Sequence, residues 1–419
     1  MFKEERRSWS PPSDQQPDRK QNRCLGTQSQ IELPTIFHTP SSQKTLLTQS
    51  LVRHLEASHD LRYHLTWVYG TFIEDIPRRI GSNEALDAAV MALMRAHSSL
   101  AVHRGTPPVA CSDSLSKYSR ALKTLRIYLD DPIKAREAET LCAVMILLIC
   151  QSFLGTSGGG GYASGHGEGA AQIIKVRSYY NPRDDFEKEL LLSLRGPILF
   201  EALINPKICF SPEEWKTLVE SEIDEGTPEG QMMRCLAKAP SLMQRGRAGL
   251  RDQVDLTAVV SETRQQYSIL KEILQEMEDR YNTVRDDGIP RSTIMLTKVH
   301  AHYQRIYGLA LAVCLIFNCI YRALDPAYME LDIDAKDFSE KVLCLAEEAA
   351  PYRPLGASYI LLCLITAWCG SRDEGTKQLV EAAYVDYRMD FPEDFQADAT
   401  PSARAWLEYS CQRLYLLED

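Results

Sequence analysis

Residues 141–154 read LCAVMILLICQSFL, with Gln151 and Ser152 as the only polar side chains. A strand is commonly about 3–10 residues long, so a stretch of this length is better accommodated by a helix that is apolar on every side. It predicts a central core helix. On its N-terminal side, Leu115, Tyr118, Leu122, Leu125 and Leu129 alternate steps of three and four, and Leu86, Val90, Leu93, Met94 and His97 do nearly the same one helix earlier. That spacing places each set on one helical face.

Further along, Leu256, Val259, Thr263, Tyr267, Leu270, Leu274, Met277 and Tyr281 keep the same period. The pattern admits a coiled-coil seam, but without sustained charge pairing at the flanking positions an amphipathic helix packed on its own domain is expected. Start signals agree: Ser211-Pro212-Glu213-Glu214 offers a capping hydroxyl, a proline at the first helical position and a carboxylate at the third, and Thr400-Pro401 and Asp325-Pro326 are read the same way. No alternating run bounded by hairpin turns occurs, so the expected fold class is all-α.

The chain has 419 residues, 44% apolar and 25% charged, a globular composition able to bury a large core. Against 57 acidic side chains stand 47 Lys and Arg, a net charge of −10, which argues against broad adhesion to phosphate backbones. Residues 1–43, rich in Pro, Ser, Gln and charge, are expected to form a disordered tail, and 44–419 one helical domain. Basic residues slightly outnumber acidic ones over 1–30, which is compatible with a nuclear-import signal and does not specify one. The opening residues do not read as a cleavable apolar leader, so the twelve cysteines are expected to be reduced thiols, mostly core fillers. The longest apolar run, Ile306–Tyr321, falls short of the roughly 20 residues that cross a bilayer. It predicts a buried helix, with no membrane partner.

Catalytic and cofactor motifs are not found. The Gly-rich stretch at 155–169 is followed by no Gly-Lys-Ser or Gly-Lys-Thr and is preceded by a helix, so a flexible loop is expected where a phosphate loop would need a strand. No Cys-x2-Cys pair exists. His54, His59 and His64, five apart, turn about 140° from one to the next on a helix and cannot converge, and His300 and His302 are about 200° apart. There is no Gly-x-Ser-x-Gly elbow and no His-Glu-x-x-His. Asp130-Asp131, Asp184-Asp185 and Asp286-Asp287 fall at helix ends and turns, where capping accounts for them. No catalytic, cofactor-binding or metal-ligating residue is assigned, and no cofactor is expected.

Three segments, in order, resemble the fungal-specific transcription-factor domain that follows the DNA-binding cluster of fungal zinc-cluster regulators. The first is YSRALKTLRIYLDDPIKAREAETLCAVMILLICQSFLG at 118–155, where Tyr118, Ala121 and Leu122 are followed by an Asp131-Pro132 link and a Glu139-Thr140-Leu141 entry into the apolar helix. The second is HGEGAAQIIKVR at 166–177, continuing into FEKELLLSLRGPILFEALINPKICFSPEEW at 186–215. The third is YRPLGASYILLCLITAW at 352–368, with Arg353, Pro354, Leu355, Gly356 and Ala357 in place. Together the likeness runs from about Leu61 to Pro392. The family's paired Cys-x2-Cys-x6-Cys halves are not matched, since Cys24 is the only cysteine in the first 110 residues, and Gln151 stands where the family often has glutamate.

The resemblance implies an all-helical regulatory domain whose helices form a cavity or groove for a small-molecule effector or a co-regulator. It implies a nuclear, pathway-specific transcriptional regulator of specialised metabolism or nutrient use. The expected partner is a DNA-binding transcription factor or co-regulator, with a homo- or heterodimer also in view and no direct specific DNA binding; a gene model cut short before the cluster would account for its absence equally. The acidic run at 220–225 and the tail are further candidates for contact with transcription machinery, although solvated loops account for them. The chain is not expected to be an enzyme. The rival readings are a helical metabolite-binding protein or enzyme of a biosynthetic pathway, and a repeat scaffold, for which no fixed period is found.

Overall fold

A computed structural model describes residues 42–56, 60–102, 112–154, 165–176, 182–220, 224, 226–286, 294–391 and 399–417. Among the described residues there is no strand. The N-terminal helices are α1 (Gln43–Glu56), α2 (Leu65–Tyr69), α3 (Phe72–Arg79), α4 (Glu84–Val102), α5 (Ser112–Leu129), α6 (Ala138–Leu154), α7 (Gly165–Val176) and α8 (Asp185–Ile204). Then come α9 (Pro212–Glu220), α10 (Pro228–Asp252), α11 (Thr257–Asp286), α12 (Ile294–Leu324), α13 (Glu330–Ala349), α14 (Ile360–Gly370), α15 (Glu374–Arg388) and α16 (Ala399–Leu414). The protein is all-α. The tail at 1–41, His59 and residues 155–164 of the Gly-rich stretch lie outside the described residues.

The apolar run is the core of α6, packed between α4, α5 and α7, with Leu141 through Leu147 almost fully buried. Its entry is fixed by polar contacts. Thr140 Oγ1 donates to the Lys134 carbonyl at 2.7 Å and accepts from Asn83 Nδ2 at 3.1 Å. Asn83 also caps α4, its Oδ1 accepting from Leu86 N–H at 2.9 Å, so one buried amide sets both helix starts.

The periodic face of α11 is buried from Val259 to Tyr281 against the chain's own α12 and α10, which settles its partner as internal. The run Ile306–Tyr321 belongs to α12, a helix of 31 residues. The length argument from sequence is therefore corrected: the helix is long and apolar enough to cross a membrane, but 89% of its most apolar window is buried by the protein itself. Asn318, fully buried within it, donates to Tyr267 Oη at 3.1 Å and to the Leu331 carbonyl at 2.8 Å.

The start signals divide. At α9 a capping box forms, with Glu214 N–H donating to Ser211 Oγ at 3.2 Å and Ser211 N–H to Glu214 Oε2 at 2.6 Å. Asp325-Pro326, by contrast, lies in the turn closing α12, and α13 begins later at Glu330. Thr400-Pro401 sits inside α16, which starts at Ala399. The end of the expected Gly-rich loop, 165–169, is the first part of α7.

Two halves of the helical body are tied together by α8, which packs on α3 and α7 and also on α10 and α16. Arg305 of α12 donates to the Trp67 carbonyl at 2.9 Å and stacks 4.4 Å from the Trp67 ring centroid. A backbone clasp joins Leu355 N–H to the Arg62 carbonyl at 3.1 Å. Beside it, a Cβ on Gly356 would lie 2.8 Å from the carbonyl oxygens of both Leu61 and Tyr352, so only glycine permits this approach.

Candidate ligand groove

Helix α1 lies on α4, held by the fully buried Leu51, and α5 runs along the other side of α4. Between the three are two adjoining depressions of about 270 and 390 Å³, sharing Gln43, Leu47, Met91 and Lys117. Leu47, Met91 and Met94 make an apolar floor, and thioether side chains adapt to irregular apolar shapes. Charges of both signs form the rim. Lys44 Nζ donates to the Gly81 carbonyl at 2.7 Å, Asp87 Oδ1 accepts from Gly81 N–H at 2.8 Å, and Asp113 pairs with Arg95 at 3.3 Å.

One end of the groove is closed by His54. Its ring nitrogens meet the Ser50 carbonyl at 3.0 Å and Ser98 Oγ at 3.1 Å, and its centroid is 5.8 Å from that of His97. His97 is buried among His54, Tyr63 and Phe153, with Nε2 2.9 Å from the Tyr63 carbonyl. That carbonyl requires the proton on Nε2. Burial pushes the imidazole down to about 4, against the favourable carbonyl contact and with help from His54, so His97 is neutral near pH 7. Ser98 Oγ, besides its contact with His54, donates to the Met94 carbonyl at 2.7 Å. The groove's chemistry suits an amphipathic ligand, apolar beneath and polar at its edges.

Residues singled out by the sequence serve mainly structural roles. Tyr118 and Ala121 are buried on α5, while Leu129, expected on the same face, is 39% exposed because Ser114, Tyr118, Ala121 and Leu125 define the face that packs. Glu139 pairs with Arg79 at 2.7 Å, and Asp184 caps α8 by accepting from Glu187 N–H at 2.9 Å. Asp131 accepts from the backbone of Ile133 and Lys134, as expected of a turn carboxylate. Arg353 is held by Asp386 at 2.5 Å and Asp390 at 2.7 Å, over the Tyr387 ring. Gly167 of α7 faces Glu201 of α8 with no room for a Cβ. Burial pushes the Glu201 carboxyl up to about 7, opposed by a hydrogen bond from Asn205 and reinforced by nearby Glu168.

Sequence reasoning missed the groove, because Leu47, Met91 and Lys117 belong to three helices whose packing no local pattern encodes. Among the described residues no three His, Cys, Asp or Glu side chains converge as a metal-binding group. No protein-family model, curated protein or solved structure matches the chain.

Proposed function

We propose that the chain is a transcriptional regulator of the fungal zinc-cluster type that acts in the nucleus through a separate DNA-binding protein. What supports this reading is the correspondence between the three resembling segments and whole structural steps. The segment at 118–155 covers most of α5, the Asp131-Pro132 turn and α6; the one at 166–177 covers α7; the one at 352–368 is the tight turn leading into α14 and most of that helix. The groove between α1, α4 and α5 is the place assigned to the co-regulator or effector.

The test pairs chromatin immunoprecipitation of the tagged chain with DNA binding by the purified chain at moderate salt, since phosphate contacts are salt-dependent. Promoter enrichment without binding by the purified chain is the expected result. Enrichment absent from chromatin overturns the reading. The groove's volume, at the small end of ligand pockets, favours a metabolite-binding protein as the second reading. Co-purification of a small organic molecule with a chain that fails the chromatin test would support it.

A further inference from the structure

Helix α12 carries Lys298, His302 and Arg305 at steps of four and three, which puts the three side chains on one face. Opposite this face stand His64 and Trp67. The Trp67 carbonyl accepts from Arg305 Nη1 at 2.9 Å, and the Trp67 N–H donates to His64 Nδ1 at 3.2 Å. The second bond fixes the tautomer: Nδ1 accepts, so the ring proton sits on Nε2. Yet the group 3.5 Å from Nε2 is the Lys298 side-chain nitrogen, itself a donor with no acceptor capacity. Two donors therefore face one another, and neither can serve as the other's acceptor.

We infer that this junction of α2 and α12 binds the phosphate group of a small phosphorylated ligand, with one phosphate oxygen seated between His64 Nε2–H and Lys298 Nζ and accepting from both. An anionic oxygen turns the opposed donors into two charge-assisted hydrogen bonds. Among the described residues, no carboxylate lies within ion-pair distance of Lys298 or of Arg305. Glu229, whose charge is felt at His302, is engaged with Arg280 at 3.8 Å. Elsewhere in this chain of net charge −10, cations of similar burial are matched, Lys341 by Glu278 and Asp337, and Arg353 by Asp386 and Asp390.

The donor set suits phosphate better than carboxylate. Carboxylate recognition favours the full fork of an arginine, with two parallel N–H bonds. Here one arm of Arg305 is committed to the Trp67 carbonyl, and its guanidinium lies over the Trp67 ring, 4.4 Å from the centroid. Lysine meets phosphate as a point charge. The remaining oxygens of a tetrahedral dianion are free to turn toward Arg305, two turns further along the same face. A long polyanion is the poorer match, because the net negative charge of the chain repels it. The site shares no lining residue with the groove between α1, α4 and α5, so the two stand or fall separately.

Isothermal titration calorimetry of the full chain at low salt, with inorganic pyrophosphate and with succinate, tests the assignment. Pyrophosphate should bind saturably at millimolar concentration or below, and succinate at least about tenfold more weakly. Lys298→Ala should weaken pyrophosphate binding at least about tenfold, with an unchanged melting temperature in the absence of pyrophosphate showing that the fold persists. Lys298→Arg, which keeps the charge, should retain most of the binding, and Lys216→Ala, at an exposed lysine of α9, all of it. Absence of saturable pyrophosphate binding by the wild-type chain would overturn the proposal. So would binding that Lys298→Ala leaves intact, or succinate bound as tightly as pyrophosphate.

Discussion

The guanidinium of Arg322, with only 2% of its side chain exposed, lies 2.6 Å from Oδ1 of Asp332 and donates to the Gly370 carbonyl at 2.6 Å. This pair locks α12, the start of α13 and the end of α14 to one another. Asp332 is also paired with Arg372 at 2.7 Å, so its charge is shared between a buried and an exposed cation. Arg322→Ala leaves Asp332 with Arg372 as its partner but strips the buried Gly370 carbonyl of its donor, and should destabilise the fold by about 1–3 kcal/mol. Urea unfolding of both proteins measures the difference, and a midpoint unchanged within error would refute a structural role for the pair.

Two glycines make opposite predictions from the same substitution. Gly356→Ala drives a methyl onto two backbone carbonyl oxygens and should cost at least about 1–3 kcal/mol through overpacking. Gly169→Ala, inside α7 with nothing within 4 Å of the new Cβ, should stabilise by about 0.5–1 kcal/mol through helix propensity. Thermal melts of the two variants should shift in opposite directions.

His97 and Glu201 give the stability profile two opposing slopes. The His97 pKa falls from 6.5 to about 4 on folding, so its contribution is complete above pH 6.5 and is lost as pH falls toward 4. The Glu201 pKa rises from 4.5 to about 7, so its contribution is complete below pH 4.5 and is lost as pH rises through 7. Each shift is worth about 3 kcal/mol between its plateaus. His97→Phe should therefore leave a protein that weakens from pH 4.5 to 7, and Glu201→Gln one that strengthens over pH 4 to 6.5. Unfolding midpoints across that range would show either slope, and parallel profiles for wild type and both variants would contradict the assignment.

Met91 tests the groove. It is partly exposed on the floor shared by both depressions, so Met91→Glu should change stability little, by about 0.5 kcal/mol. Fused to an unrelated DNA-binding domain, the wild-type chain should alter reporter output and the variant should lose most of that effect. Equal output from both would remove the groove from the proposed function.

The helices were legible wherever one face had to be buried. Val259, Thr263, Tyr267 and Leu270 carry their period straight into the α11–α12 interface, and Ser211 with Glu214 closes the capping box their spacing announced. Asp325-Pro326 misled because the same dipeptide that can open a helix also forms the turn that ends one. Ile306–Tyr321 understated α12 because polar residues such as Gln304 and His300 continue the helix and are themselves buried. Sites built across helices left no trace in local pattern. Leu47, Met91 and Lys117 stand far apart in sequence, and neither Arg322 nor Asp332 is distinguishable from a surface charge until α12 and α13 are packed.

The clasp from Leu355 N–H to the Arg62 carbonyl has a temporal side. Its donor is made roughly 290 residues after its acceptor, so at about 5–20 residues per second the helices near the N-terminus wait on the order of 15–60 s for their closing partner. During synthesis Phe72, Ile73 and Ile76, completely buried in the finished protein, have α8 to cover them well before the α12 and α14 side of the fold exists. The early helices thus form a half-built surface, and production of this protein in a cell should depend on chaperones that shelter nascent apolar segments more than its final stability alone would require.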